Sequence, residues 1–456
     1  MLIFAVAFHI IWIMAERKLN KVYIHTLGCP KNDVDSEVLA RVLMERGWDI
    51  VDSQSKAEVA VINTCAFIDP ARAESIEDIW AFVEEKTKGR LEAIIVTGCL
   101  AERYGTALAE EIPELDGVIG NRDIEAVPGL IDTALTTPQT FHTAPSEFSR
   151  NWYLSPTPQT EPNWGYLKIS EGCNNRCSYC AIPDIRGSLR SIPIESLVQQ
   201  ARYMIEGGAH EIVVIGQDTT AYGHDMEQNL FPELLRNLSE IDGDFWIRIL
   251  YAHPANLSQE NIRAIAETPK VVPYLEIPIQ HIADNILDRM RRRVTSAQIR
   301  ERIDALREAR PGIALRTSLI TGFPGETDDD FEELAEYLEI GHFIHGGVFS
   351  YSREDGTPAA EFEDTVPKRT EEARRQLLEI IFENVRKQTN KALEDEKVRV
   401  LVERSGTRPN MLWGRTIYDA PRIDRMVRFN GDAAVGDFVD VRIIRGTDLH
   451  LLGVQE

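Results

Sequence analysis

Cysteine is scarce in this sequence, which has six cysteines among 456 residues. A chain of this length can bury a large core without covalent links, and disulfide scaffolds are concentrated in small secreted domains. The scarcity therefore argues against a disulfide-stabilised fold. It favours a reducing, cytoplasmic setting.

Positive charge is also in short supply. The chain has 50 Lys and Arg residues against 73 Asp and Glu residues, which gives a formal net charge of −23. An acidic surface repels polyanions and attracts basic partners. A basic protein is therefore a better expected partner than bare nucleic acid.

The sequence has no apolar run long enough to span a membrane. Its most apolar stretch, residues 2–14, is shorter than the roughly 20 residues that a transmembrane helix needs, and it has no basic region before it and no clear cleavage site after it. Met14 opens a plausible alternative start. We therefore interpret residues 1–19 as an N-terminal extension from an overlong gene model rather than a membrane anchor, and expect no stable membrane association.

The remaining chain predicts an α/β multidomain protein. Residues 20–140 alternate short apolar strands with amphipathic helices, which is typical of a parallel α/β domain. Residues 141–163 are rich in Pro, Ser and Thr and predict a linker. Residues 164–395 repeat the alternation with six strands and predict a partial (β/α)6 barrel. Residues 396–456 contain short alternating strands and predict a small antiparallel β-barrel.

Three cysteines follow predicted strands of the first domain. Cys29, Cys65 and Cys99 each lie just beyond a strand, and the carboxyl edge of a parallel sheet is where loops converge on ligands. We therefore expect the three thiols to meet at one edge. The alternative is that each cysteine is a small buried hydrophobic residue.

The other three cysteines form a compact C-x3-C-x2-C motif. Cys173, Cys177 and Cys180 follow the first strand of the second series, at the mouth where βα-loops carry catalytic groups. A structural zinc site or an electron-transfer cluster normally has four protein ligands, so three thiolates leave one iron of a [4Fe–4S] cluster open. A zinc loop with a remote fourth ligand is the alternative.

The motif, with Tyr179 before its third cysteine, resembles the radical S-adenosylmethionine (SAM) superfamily. LGCPKNDVDSE, NTCAFID, TGCLAERY, CNNRCSYCAIPDIRG and TGFPGET occur in this order and are similar to the methylthiotransferase family over nearly the whole chain. The LGCPKN, CAF and GCL strings resemble the branch that modifies small-subunit ribosomal protein S-twelve. The tRNA-modifying branch typically carries a GCQMN-like first motif.

The resemblance implies a division of roles between the two cysteine triads. Cys173, Cys177 and Cys180 would hold a radical-generating [4Fe–4S] cluster, and the other three cysteines an auxiliary [4Fe–4S] cluster. It further implies SAM as methyl donor and radical source, a sulfur donor (sulfide or persulfide), an electron donor, and 3-methylthioaspartate in S-twelve as product. The C-terminal barrel would be TRAM-like.

Further residues near the predicted barrel mouth are candidate SAM contacts. They are Tyr179, Gln217, Asp218, Arg316, Gly322, Gly325 and Glu326. Solvated loops, and a glycine turn around Pro324, are equally compatible readings. We interpret the basic run at residues 289–293 as a helix end favoured by the macrodipole.

Two rival functions stay open from the sequence. One is methylthiolation of an adenosine in tRNA, which the acidic surface disfavours. The other is a non-catalytic iron–sulfur scaffold or electron carrier.

Overall fold

The computed structural model describes residues 20–137, 141–143 and 161–456. The chain divides into two compact units, residues 1–152 and 153–456. The predicted N-terminal extension lies outside the described residues. In the part of the chain that the structure describes, every helix is too short or too polar to cross a bilayer.

The first unit contains a six-stranded parallel sheet with the strand order β2-β1-β3-β4-β5-β6. Its strands are β1 (Lys21–Thr26), β2 (Asp49–Ile50), β3 (Val59–Thr64), β4 (Ala93–Gly98), β5 (Gly117–Ile119) and β6 (Phe141–Thr143). Its helices are α1 (Pro30–Glu45), α2 (Asp69–Thr87), α3 (Cys99–Glu111) and α4 (Val127–Thr136). Every residue of β3 and β4 is buried, as expected for central strands of a covered parallel sheet.

Two strands of this sheet differ from the sequence prediction. β2 adds an edge next to β1, and β6 pairs in parallel with β5. Because Phe141–Thr143 belongs to the sheet, the start of the predicted linker at residue 141 is corrected to a position after residue 143. Residues 144–160 of that linker lie outside the described residues.

The second unit begins with six parallel strands in the order β14-β13-β12-β11-β10-β7, which confirms the predicted partial barrel. The strands are β7 (Trp164–Lys168), β10 (Glu211–Ile215), β11 (Trp246–Ile249), β12 (Val271–Glu276), β13 (Ala314–Thr321) and β14 (Phe343–Ser350). β8 (Ser170–Glu171) and β9 (Arg190–Ser191) form a separate two-stranded ribbon. The helices are α5 (Ile182–Arg186), α6 (Ile194–Glu206), α7 (Phe231–Ser239), α8 (Gln259–Glu267), α9 (Asp284–Arg289), α10 (Ser296–Ala309), α11 (Asp328–Glu339) and α12 (Lys368–Ala392).

A closed five-stranded barrel follows, in the order β15-β16-β17-β19-β18. Its strands are β15 (Lys397–Ser405), β16 (Met411–Thr416), β17 (Met426–Asn430), β18 (Phe438–Gly446) and β19 (His450–Gln455). The predicted small barrel is confirmed, with one difference: β17 and β19 pair in parallel, whereas the other pairs are antiparallel. Buried apolar residues such as Val400, Phe429 and Val441 fill its interior.

Buried ion pairs join this small barrel to the partial barrel. The Glu211 carboxylate accepts hydrogen bonds from Arg248 at 2.5 Å and from Arg415 of β16 at 2.5 Å. All three side chains are almost completely buried, and buried charges are tolerated only when they are paired. Glu211 is the first residue of β10, so the small barrel attaches near the amino end of the parallel strands. The cysteine motif follows the opposite, carboxyl end of β7.

Candidate metal centres

The first cysteine triad lies at the carboxyl edge of three neighbouring strands. Cys29 lies three residues after β1, Cys65 directly follows β3, and Cys99 directly follows β4. A Cβ atom placed on Gly28 would lie 2.7 Å from the Cβ atom of Cys65, so the loops carrying Cys29 and Cys65 are in contact. The structure therefore brings the three cysteine-bearing segments to one edge, as predicted.

One buried side chain connects all three segments. The Asn32 amide nitrogen donates to the Leu27 carbonyl at 2.7 Å and to the Thr64 carbonyl at 3.0 Å. The Asn32 amide oxygen lies 3.8 Å from the Cys99 sulfur. Asn32 thus links the loop before Cys29, the end of β3 and the start of α3.

Two other amides complete the surroundings of this triad. Asn63 donates to the Asn32 carbonyl at 2.9 Å, and the Asn121 amide nitrogen lies 3.9 Å from the Cys99 sulfur. Two amide side chains, those of Asn32 and Asn121, therefore lie within 4 Å of the Cys99 sulfur. Sequence reasoning missed these asparagines, although Asn32 and Asn63 stand inside the same motif strings as Cys29 and Cys65.

The second triad lies in one loop between β8 and α5. The Cys173 backbone N–H donates to the Gly187 carbonyl at 3.1 Å, and the Cys180 N–H donates to the Cys177 carbonyl at 3.1 Å. Between these cysteines, the Ser178 N–H donates to the Met290 carbonyl at 3.0 Å. The loop is therefore attached both to α5 and to the segment that follows α9.

Asp218 connects this loop to its neighbours. Its carboxylate accepts from the Asn175 amide at 2.7 Å, from the Asn256 amide at 2.6 Å and from the Thr220 hydroxyl at 2.7 Å. Asp218, Asn175 and Asn256 line a cavity of about 110 Å³ beside Cys173. Of the candidate SAM contacts, Asp218 is the one that the structure places on this cavity.

The environment of Cys173 keeps its thiol protonated when no metal is bound. Burial, together with the nearby Asp218 carboxylate, raises the pKa of Cys173 to about 12. Burial also raises the pKa of Cys180, and the neighbouring Cys177 contributes. Metal ligation requires thiolates, so cluster binding at this loop would release protons.

Arg292 contacts the second triad directly. One guanidinium nitrogen lies 3.3 Å from the Cys177 sulfur and 3.3 Å from the Tyr179 hydroxyl, and the other donates to the Pro278 carbonyl at 2.5 Å. The interpretation of residues 289–293 as only a helix end is therefore incomplete. α9 does end at Arg289, but Arg292 points inward to the cysteine loop, which no residue spacing indicated.

A buried charged cluster lies at the start of the same loop. The Glu171 carboxylate accepts from Lys168 at 2.7 Å, from Arg186 at 3.0 Å and from the Gln217 amide at 3.1 Å. Burial opposes ionisation of Glu171, but Lys168 and Arg186 lower its pKa to about 2. Gln217 therefore supports the loop through Glu171.

The candidate contacts on and after β13 have structural partners. Arg316 pairs with Asp424 of the small barrel at 2.5 Å. Gly322 and Gly325 have φ values of +73° and +86°, so they supply the turn that was the alternative reading of these glycines. Glu326 accepts from the Phe323 N–H at 3.1 Å and pairs with Arg374 at 3.1 Å.

Tyr179 has a packing role in addition to its hydroxyl contact. Its ring packs against a buried apolar cluster that includes Ile286, Met290 and Phe323. The aromatic side chain thus anchors the cysteine loop to α9 and to the turn after β13.

The donor set of each triad fits an iron–sulfur cluster. All six cysteines are free thiols, three at each location. Within the described ranges, no group of three or more His, Cys, Asp or Glu side chains is gathered closely enough to hold a single metal ion. A four-iron cluster makes a different demand, because each thiolate binds its own iron atom.

Comparison with known protein families divides the chain into three matched ranges. Residues 21–120 match the Uncharacterized protein family UPF0004, residues 167–338 match the Radical SAM superfamily, and residues 396–455 match the TRAM domain. The first range contains the first triad, and the second range contains the C-x3-C-x2-C motif.

Curated relatives cover nearly the whole chain. The ribosomal protein uS12 methylthiotransferase RimO of Geobacter sulfurreducens is 43% identical over 95% of this chain and 98% of the relative. The protein of the same name from Lachnoclostridium phytofermentans is 40% identical over 96% of this chain and 100% of the relative.

Solved structures share the fold at low sequence identity. The radical SAM methyltransferase TsrM from Kitasatospora setae has a TM-score of 0.55 and 13% identity, over 73% of each chain. The cobalamin-dependent SAM radical enzyme OxsB has a TM-score of 0.54 and 14% identity, over 80% of this chain and 56% of OxsB.

Proposed function

The chain belongs to the RimO family of ribosomal protein uS12 methylthiotransferases, and from this membership we propose that it methylthiolates uS12. The reaction would join a methylthio group to the β-carbon of an aspartate and give 3-methylthioaspartate. SAM and two [4Fe–4S] clusters are the cofactors of this radical enzyme.

The observation that carries the proposal is the presence of two separate cysteine triads at carboxyl edges of parallel sheets. One triad alone would fit many radical SAM enzymes. A second triad of Cys29, Cys65 and Cys99, at the edge of a different sheet, provides a second place for a cluster with an open iron. Methylthiolation needs both a radical and a sulfur to transfer, and two clusters with one open iron each would provide a separate site for each requirement.

We assign the radical-generating cluster to Cys173, Cys177 and Cys180. A cluster bound there would supply the electron for reductive cleavage of SAM, which starts removal of a hydrogen atom from the substrate. The protein contributes by holding the loop through Ser178 and by presenting the cavity beside Cys173. We assign the auxiliary cluster, which would bind the sulfur to be transferred, to the other three cysteines.

Asp218 is the strongest of the proposed SAM contacts. Its carboxylate lines the cavity next to Cys173, and because its oxygens accept from the Asn175 and Asn256 amides, it would shape the SAM site by holding these two amides on the cavity wall. The others support the mouth indirectly, through the hydrogen bonds and turns described above: Tyr179, Gln217, Gly322, Gly325 and Glu326. Arg316 is engaged by Asp424 at the small barrel, so we leave it out of the proposed SAM site.

The expected partners follow from this chemistry. The protein would need uS12, free or in the ribosome, an electron donor, and sulfide or persulfide as sulfur donor. A cytoplasmic location, without stable membrane association, fits both the substrate and thiol-bound clusters. The strongly acidic composition supports a basic protein substrate.

One surface of the small barrel supports the tRNA alternative. Arg404 and Arg428 lie 4.9 Å and 5.9 Å from the centre of the Trp413 ring, on strands that flank β16. Neither arginine forms an ion pair with the described residues. Arginines around an aromatic ring are suited to phosphates and stacked bases.

An anaerobic reaction with both substrates tests the proposal. The reconstituted protein would be incubated with SAM, sulfide, a reductant and either uS12 or tRNA, and the products read by mass spectrometry. We expect methylthiolation of one aspartate of uS12, formation of 5′-deoxyadenosine, and loss of both in Cys180→Ala. Modified tRNA with unmodified uS12 would establish the alternative, and absence of 5′-deoxyadenosine would leave an iron–sulfur carrier.

A further inference from the structure

Arg292 is a buried cation without a carboxylate partner. Its side chain is almost completely inaccessible, at 3% exposure, and an arginine stays protonated in proteins. Its hydrogen-bond partners are the Cys177 sulfur, the Tyr179 hydroxyl and the Pro278 carbonyl. Across residues 20–137 and 161–456, no carboxylate forms an ion pair with it.

A buried charge of this kind normally has a paired anion, because leaving water costs several kcal/mol. Its direct partners are a thiol, a phenol and a carbonyl, and the Asp218 carboxylate acts on it only from a distance, so the described residues place no paired anion in direct contact with Arg292. A thiolate that ligates a cluster would supply that anion, at the 3.3 Å distance already present between Arg292 and Cys177. The arginine is therefore placed for a negatively charged Cys177.

The backbone fixes this contact from both sides. The Ser178 hydroxyl donates to the Arg289 carbonyl at 2.7 Å, next to Cys177, and the Arg292 N–H donates to the Leu287 carbonyl at 2.9 Å. Arg291 and Arg293, the residues on either side of Arg292, both have a φ of +55°. The cysteine loop and the arginine segment are thus joined at several points.

We infer that Arg292 is a positioning residue that holds Cys177 and raises the reduction potential of the cluster at the second triad. Hydrogen bonds to cluster sulfurs and nearby net charge set the potentials of iron–sulfur clusters. Reduction adds one electron from an external reductant and breaks no bond. Because a fixed cation attracts the added negative charge, Arg292 favours the reduced form of the cluster. This inference rests on the proposed function, because it requires a cluster at Cys173, Cys177 and Cys180.

Potentiometric titration followed by electron paramagnetic resonance tests the inference. The full chain with Cys29, Cys65 and Cys99 replaced by alanine would leave one cluster to observe, and Arg292→Met, Arg292→Lys and Arg291→Met would be compared in that background. Arg291 is exposed and carries the same charge one residue away, so it is the matched control.

We expect Arg292→Met to lower the one-electron reduction equilibrium constant at least tenfold, a shift of about 59 mV to more negative potential. Arg292→Lys should give a smaller shift, and Arg291→Met none. An unchanged potential in Arg292→Met, or an equal shift in Arg291→Met, would overturn the inference.

Iron content separates this result from failure of the proposed function. Four irons per chain in the triple-alanine parent are required by the proposed function, and their absence there would count against that function. If Arg292→Met alone loses iron, positioning of Cys177 is supported, and the potential of Arg292→Lys decides whether Arg292 also tunes the cluster.

Discussion

The two cysteine triads lie in similar places but are built in different ways. The first takes one cysteine from each of three loops and is connected by neutral amides, chiefly Asn32. The second takes three cysteines from one loop and is surrounded by charged groups, chiefly Arg292 and the Glu171 cluster. The first triad therefore depends on the assembled sheet, whereas the second is a local motif held by buried charges.

This difference agrees with the proposed roles. A cluster that accepts an electron to cleave SAM benefits from a nearby fixed cation that stabilises added negative charge. Each of the following predictions perturbs one triad or the residues that support it.

Removal of either triad should have the largest effect. Replacement of Cys29, Cys65 and Cys99 by alanine, or of Cys173, Cys177 and Cys180 by alanine, should each halve the iron and sulfide bound per chain, because each set supplies all three thiolates of one cluster. Chemical analysis of reconstituted protein measures this. Unchanged iron in either variant would show that its triad holds no cluster.

Disruption of the buried Glu171 cluster should have the next largest effect. Glu171→Gln would leave Lys168 and Arg186 buried without their shared anion, at a cost of about 3–5 kcal/mol in the free energy of unfolding of the second unit. Denaturant titration measures the loss. Glu206→Gln, at an exposed helix end, should cost less than about 0.5 kcal/mol. Equal stability of the two variants would refute a structural role for the Glu171 cluster.

Loss of the Asn32 amide hydrogen bonds should have a smaller effect on the free energy of unfolding. Asn32→Ala would leave the buried Leu27 and Thr64 carbonyls without this donor, at a cost of about 1–3 kcal/mol. The first triad should lose iron while the second keeps it, as read by iron analysis and by retained SAM cleavage. Glu45→Ala, at the exposed end of the same helix, serves as control. Full iron retention in Asn32→Ala would show that the first triad does not need Asn32 to bind its cluster.

Much of this architecture could be predicted because it follows from periodic patterns. The alternation of apolar strands and amphipathic helices predicted the central strands of both parallel sheets and the edge that gathers Cys29, Cys65 and Cys99. Strands β2 and β6 were not predicted because two and three residues are too few to show a period. The parallel β17–β19 pair was not predicted either, since strand pairing depends on chain topology rather than on local sequence.

The surroundings of the sites were harder to predict than the cysteines themselves. The Arg292–Cys177 contact joins residues that are 115 positions apart, and the neighbouring arginines at 289 and 291 have the same residue type but different environments. Arg316 looked like a mouth residue because β13 ends at the mouth. It is the third residue of that strand, and its guanidinium turns to the small barrel.

The most direct test of the division between the triads is product analysis of the chain that lacks Cys29, Cys65 and Cys99. This variant would be incubated anaerobically with SAM, sulfide, a reductant and uS12. We predict that it still forms 5′-deoxyadenosine and leaves uS12 without a methylthio group. Methylthiolated uS12 from this variant, or loss of 5′-deoxyadenosine while four irons remain bound, would contradict the account.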